Sequence, residues 1–183
     1  TAVIGVGPAG EMKLSNAGIS INDMENQPGR YAGRGGLGAV MASRGIKAMV
    51  IDDRGGPGVE IANQELFKQG RRKLTESIQE HALTKKGGGL NSFGTAILIN
   101  ILNEAGGLPT RNFSSGRFEG APRIAGEAIF EGNKVRKGKE IYNHACSPGC
   151  LIQCSNTVYD EKGEEITSCL EYESAWSLGA DCG

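Results

Sequence analysis

The sequence predicts an α+β chain: short β-strands over residues 1–52, followed by a mainly α-helical segment over residues 53–183. Up to residue 52, short apolar runs alternate with glycine-rich turns, the pattern of strands rather than helices. From Leu66 onward, apolar residues recur at helical spacing and the periodic stretches stop at glycine. Glycine itself is abundant, 29 of 183 residues and roughly twice the average usage, without repetition. Many positions therefore need a positive φ, or let the backbone come close to a neighbour such as a large bound cofactor.

The elements follow in order. Residues 2–6 and 18–22 predict two strands around a glycine-rich turn. Residues 29–43 begin as a glycine-rich loop and end in a short helical run from Leu37. Residues 46–51, apolar except for Lys47, suit a strand buried on both faces. The string Asp52-Asp-Arg-Gly-Gly-Pro-Gly breaks regular structure, so a domain boundary is expected between residues 52 and 53. Beyond it, Leu66, Phe67, Leu74, Ile78 and Ala82 predict one helix that ends by Gly87. Asn91 or Ser92 is positioned to cap a second helix over residues 93–105, apolar on all sides and so expected to be central. An irregular loop over residues 108–122, a weak helix over 124–139, a cysteine segment, a hairpin of residues 156–160 with 166–171, and a helix starting near Glu173 complete the chain.

Charge excludes some functions. Twenty basic residues against 21 acidic ones give no electrostatic drive toward nucleic acid or an anionic membrane. The longest apolar stretch, residues 95–102, is far too short to cross a bilayer. Thr1-Ala-Val-Ile has neither a basic n-region nor a cleavage site, and a cytoplasmic location is expected. The chain lacks an initiator Met and stops at Gly183 without a polar tail, so both ends are expected to be internal to a longer protein.

Three motifs point to chemistry. Gly5-Val-Gly7-Pro-Ala-Gly10 matches a dinucleotide-binding fingerprint, but strand-like character resumes at Ala17, too soon for the helix such a site requires. A structural turn is the favoured reading there. Gly29-Arg30-Tyr31-Ala-Gly33-Arg34-Gly-Gly-Leu sets two guanidinium groups around a glycine-rich loop that opens a helix, which suits phosphate or pterin. Cys146-Ser-Pro-Gly-Cys150-Leu-Ile-Gln-Cys154 places three thiols within nine residues. Clustered thiols without a secretory signal favour metal over disulfides. Each can bind a separate iron of an iron–sulfur cluster; zinc, with His144 as a fourth member, and plain structural thiols are the alternatives.

In this order, these motifs resemble the tungstopterin aldehyde ferredoxin oxidoreductase family. The likeness also runs through Gly94-Thr to Asn100, Gly107-Leu-Pro-Thr-Arg-Asn-Phe113, Gly126-Glu127 and Glu171-Tyr-Glu-Ser-Ala-Trp-Ser-Leu-Gly179. The resemblance implies that residues 1–52 close a β-rich pterin-binding base domain and that residues 53–183 open a mainly helical second domain. It implies a tungsten (or molybdenum) bis-pterin, a [4Fe–4S] cluster, and Mg²⁺ as a candidate bridge between pterin phosphates. Cys146, Cys150 and Cys154 would be cluster ligands, with the fourth outside the chain or at Cys169 or Cys182. The family spacing is two then three intervening residues, whereas both gaps here are three.

By the same resemblance, Arg30, Tyr31, Gly33 and Arg34 would hold the pterin. Glu173 would be the general acid or base beside the metal. The implied reaction is oxidation of an aldehyde to a carboxylic acid, with electrons passed to ferredoxin. The rest of the same polypeptide is an expected partner and a homodimer a candidate assembly. The competing expectations are low-potential reduction of a carboxylate or aromatic thioester with the same cofactors, and a non-enzymatic iron–sulfur electron-transfer module.

Overall fold

The computed structural model describes residues 1–26, 29–138, 143–167 and 170–183. It is α+β and divides into two compact units, Thr1–Ala62 and Asn63–Gly183. No helix among the described residues is long and apolar enough to cross a membrane.

The first unit is a four-stranded antiparallel sheet of β1 (Ala2–Gly5), β2 (Ile19–Ile21), β3 (Arg30–Ala32) and β4 (Ala48–Ile51), in the order β3-β2-β1-β4. Ile4 pairs with Ile21 on one side of β1 and with Met49 on the other. Two short helices, α1 (Pro8–Glu11) and α2 (Leu37–Ser43), pack on each other. Their closeness depends on glycine: a Cβ at Gly10 would lie 2.8 Å from Val6 Cβ and 3.1 Å from the Gly38 carbonyl. With one helical turn after β1, and β2 antiparallel to it, the Gly5–Gly10 string is a packing turn and not a dinucleotide fold.

Residues 46–51 depart from expectation. The strand they form, β4, lies at the sheet edge, bonded only to β1, and all four of its residues are exposed. A continuous apolar run shows that both faces avoid water somewhere, but it cannot say which partner covers them. Lys47 secures the start of this segment, donating to the Val6 carbonyl at 2.6 Å and pairing with Glu11 at 2.9 Å.

The second unit opens with α3 (Gln64–Glu80), whose first turn is capped by Asn63 accepting the Leu66 N–H at 2.9 Å. The single helix expected over residues 93–105 is instead three pieces: α4 (Gly89–Phe93), a 3₁₀ turn (Thr95–Ile97) and α5 (Leu98–Ala105). Gly94 makes the break, with φ 61° and ψ −164°, a conformation open essentially to glycine alone. Asn91 and Ser92 therefore lie inside α4, and neither is the N-cap of a helix there. Nor is α5 buried all round. Ile99 is fully buried while Ile101 is 54% exposed, because only one face meets partners within this unit.

The core joins Ile99 and Leu108 to Ala121, Ala125, Ala175 and Ala180, flanked by Leu102, Phe118, Ile124, Tyr172 and Trp176. Most come from α5, α6 (Ala121–Ile124), α8 (Tyr172–Ala175) and a π-helical turn, Trp176–Ala180, with Leu108 and Phe118 in the loop before α6 and Ala125 between α6 and α7 (Gly126–Lys137). Between the helices, Arg111, Asn112 and Phe113 are all left-handed, at φ 49°, 55° and 60°. Their N–H groups are taken by the Ala180 carbonyl, the Asp181 carbonyl and the Asp181 carboxylate. The hairpin is β5 (Val158–Tyr159) with β6 (Glu165–Thr167), shorter than expected. Buried Asn133 of α7 anchors it, donating to the Thr157 carbonyl at 2.7 Å and accepting the Tyr159 N–H at 3.2 Å. Lys139 of the expected weak helix, and Ser168 and Cys169 of the expected second strand, lie outside the described residues.

Candidate cofactor sites

The cysteine loop is closed at its base. His144 and Ser155 exchange backbone hydrogen bonds, at 2.9 and 3.3 Å, on either side of Cys146, Cys150 and Cys154. Three asparagines fasten the closed loop to α4. Asn91 donates to the Ile152 carbonyl at 2.9 Å, Asn143 donates to the Asn91 carbonyl at 2.9 Å, and Asn156 donates to the Phe93 carbonyl at 3.1 Å. Within the loop Gly149 and Gln153 are left-handed, at φ 77° and 52°. For glutamine this costs about 1–2 kcal/mol, which the surrounding bonds must offset.

All three thiols are free; Cys146 is exposed, and Cys150 and Cys154 are half-buried. Burial pushes the Cys150 thiol up, but hydrogen bonds from the Gln153 and Ile152 N–H groups and from Cys146 outweigh it, and the net displacement is downward. Cys154 is pushed up, first by burial and then by the negative charges of Glu171, Cys146 and Cys150. Among the described residues no group of three His, Cys, Asp or Glu side chains is placed to hold a single metal ion. His144 bonds Glu165 at 2.9 Å instead of completing a zinc set. Three thiols on one pinched loop fit a polynuclear iron–sulfur group whose ligands each take a separate metal atom.

Glu173 is exposed on the first turn of α8. Tyr172 beside it has its hydroxyl pushed up by burial and then by the Glu173 charge. Glu171, the N-cap residue, is the half-buried carboxylate: Thr95 donates its hydroxyl to Glu171 and accepts the Tyr172 N–H at 2.9 Å. Glu171 is the one of the two whose charge reaches Cys154. Cys182 donates its thiol to the Ser177 carbonyl at 3.1 Å. Cys169, the other in-chain candidate for a fourth ligand, is outside the described residues.

In the first unit, Arg30 and Tyr31 lie on β3, and Gly33 and Arg34 in the loop after it. Arg30 is half-buried, whereas Tyr31, Gly33 and Arg34 are exposed, and a Cβ at Gly33 would meet nothing within 4 Å. Gly35 and Gly36 are both left-handed, at φ 78° and 64°, and swing the chain into α2. Gly36 has a second constraint, since a Cβ there would fall 2.3 Å from the Ser15 carbonyl. The helix N-terminus offers less than its sequence suggests, because the Gly38 N–H is already bonded to the Ala17 carbonyl at 2.8 Å. What remains is an exposed glycine-rich loop that holds Arg34 and follows Arg30 of β3, residue types suited to phosphate oxygens.

Sequence reasoning missed the asparagine fastening and the Thr95–Glu171–Tyr172 knot. Both join residues 52 to 77 positions apart, with no local periodicity to report them.

Comparison with known proteins agrees along the whole chain. Residues 1–53 match the model of the aldehyde ferredoxin oxidoreductase N-terminal domain, and residues 69–183 match that of domains 2 and 3. A tungsten-containing aldehyde ferredoxin oxidoreductase from Pyrococcus abyssi is 40% identical over 181 residues, covering 99% of this chain and 27% of that protein. Proteins of the same name from Pyrococcus horikoshii and Thermococcus kodakarensis are 40% and 38% identical over the same shares. The chain spans about a quarter of the length of these relatives.

Proposed function

The chain belongs to the aldehyde ferredoxin oxidoreductase family, and on that premise we propose that it is part of a tungsten (or molybdenum) enzyme that oxidises aldehydes to carboxylic acids and passes the electrons to ferredoxin. One observation carries the reading: three free thiols on a single pinched loop, in a chain that relatives of that name match almost end to end.

When bound, a bis-pterin metal and a [4Fe–4S] cluster supply the two-electron oxidation at the carbonyl carbon and a route for single electrons. The chain's own residues do the rest. Cys146, Cys150 and Cys154 would hold the cluster, with the fourth ligand from elsewhere in the polypeptide or from Cys169 or Cys182. Arg30 and Arg34 would grip pterin phosphates by charge-assisted bonds, with Gly33 and the Tyr31 backbone allowing close approach, and Mg²⁺ would supply further positive charge to those phosphates. Glu173 would accept a proton from the hydrated aldehyde. The rest of the same polypeptide would cover Leu66, Phe67 and Leu74 on α3 and Val50 and Ile51 on β4, all exposed here. Homodimer assembly and a cytoplasmic location belong to the same reading.

Metal and sulfide analysis of the full-length protein, purified anaerobically, tests it. About four irons and four sulfides with tungsten or molybdenum is the expected result. Zinc without sulfide would remove the redox reading, and iron without either heavy metal would leave an electron-transfer module. Glu173→Gln is expected to lower kcat/KM with aldehyde by about 10²–10⁴-fold, the usual worth of a general base, at unchanged metal content. Undiminished turnover in that variant would exclude Glu173 from proton transfer.

A further inference from the structure

The helix that carries Glu173, α8, is four residues long. So short a helix has almost no ladder of its own, and whatever holds its first N–H groups decides where it begins. Its N-cap residue, Glu171, gives it no side-chain cap. The acceptor comes instead from Thr95, across the fold: the Thr95 hydroxyl accepts the Tyr172 N–H at 2.9 Å and donates its own proton to the Glu171 carboxylate. A hydroxyl can do both at once. The other end of the same peptide unit is held too, since the Glu171 carbonyl accepts the Ala175 N–H at 3.0 Å.

Thr95 is itself firmly placed. Gly94, in a conformation open essentially to glycine alone, ends α4 and sets Thr95 at the head of the 3₁₀ turn, and Ala96 beside it is fully buried. The start of α8 packs on that turn and on α5. Carboxylates two positions apart at a helix start do not share a face. A hydroxyl that draws one of them inward therefore leaves the other outside, and Glu171 is half-buried while Glu173 is exposed.

We propose that Thr95 is a positioning residue for Glu173: by capping α8 from outside and drawing the Glu171 carboxylate inward, it fixes the start of the helix and leaves Glu173 as the carboxylate presented for proton transfer. This inference rests on the reading of Glu173 as the proton acceptor; the hold of Thr95 on α8 does not. A general base works only from within hydrogen-bond reach of the proton it takes, and a misplacement of about 1 Å can cost on the order of 10²-fold.

Two variants of the full-length holoenzyme test it, each alone and combined with Glu173→Gln. Thr95→Val keeps the branched shape and removes the hydroxyl, whereas Thr95→Ser keeps the hydroxyl. The measurements are kcat and KM with aldehyde, and hydrogen–deuterium exchange of the Tyr172 amide. In Thr95→Val that amide is expected to exchange about tenfold faster, as loss of one hydrogen bond allows. Its kcat should fall about 10–100-fold, with KM and metal content retained. Thr95→Ser should restore both. On top of Glu173→Gln, Thr95→Val should add no further loss, because residues acting through one carboxylate are not additive. Unchanged Tyr172 exchange in Thr95→Val overturns the proposal whatever the activity of the protein. Faster exchange with an unmoved kcat overturns the link to Glu173, and so does a full further loss on top of Glu173→Gln. Undiminished turnover in Glu173→Gln alone fails the proton-transfer reading instead, while Tyr172 exchange still decides whether Thr95 holds α8.

Discussion

Cys150→Ala in the full-length protein is expected to abolish the visible absorption of the iron–sulfur group and to reduce aldehyde-dependent ferredoxin reduction by well over 100-fold. The margin follows from a comparison: losing a mere outer partner of a metal ligand typically costs about 10–100-fold, and here the ligand itself goes. Cys150 is the informative choice among the three thiols. It is the half-buried one whose thiol is held below its ordinary value, with Gln153, Ile152 and Cys146 as hydrogen-bond partners that outweigh burial. The loop around it should survive, because its closure at His144 and Ser155 and its ties to Asn91 and Asn156 involve no sulfur. Iron and sulfide analysis with a visible spectrum checks the result. A variant that keeps about four irons and four sulfides would remove Cys150 from the ligand set.

Gly94→Ala is expected to be the most damaging single methyl in the second unit, destabilising by about 3 kcal/mol or more. Two penalties coincide there. The backbone, at φ 61° and ψ −164°, occupies a region that L-residues essentially do not enter. The added Cβ would also sit 1.9 Å from Asn156 Oδ1 and 2.7 Å from the Cys154 carbonyl. Relief would require displacing Asn156, which is buried and holds the Phe93 carbonyl. The damage should therefore reach the metal site: a lowered thermal midpoint and a substoichiometric cluster together. Gly70→Ala is the paired control. It lies in α3 with nothing within 4 Å of the new atom, and should be neutral or stabilising by up to about 1 kcal/mol. Full iron content and an unchanged midpoint in Gly94→Ala would refute this account.

Much of the fold was legible because it is written in local terms. Strand runs with glycine between them, the α3 stripe and the thiol spacing are each short-range patterns. The misreadings have a common physical cause. An apolar residue announces that it avoids water, not what covers it, so Val50 and Ile51 were expected inside a sheet and stand at its edge. The helix expected over residues 93–105 was broken by one glycine whose φ depends on Asn156 and Cys154, some sixty residues on. The hydrogen-bonding roles of Asn91 and Glu171 escaped for the same reason. What a side chain bonds across the fold leaves no period in the sequence, whereas a row of three cysteines does.

The three left-handed residues Arg111, Asn112 and Phe113 carry a consequence for how the chain is made. Phe113 and Asp181, whose carboxylate takes the Phe113 N–H, are 68 positions apart. At about 5–20 residues per second, the ribosome delivers this partner roughly 3–14 s after the loop. Throughout that interval the unfavourable dihedrals lack the acceptors that hold them, so the loop waits as an unshaped tether. Its final form is cast against a mould that arrives last, and nascent chains halted before Asp181 should leave these three residues open to protease.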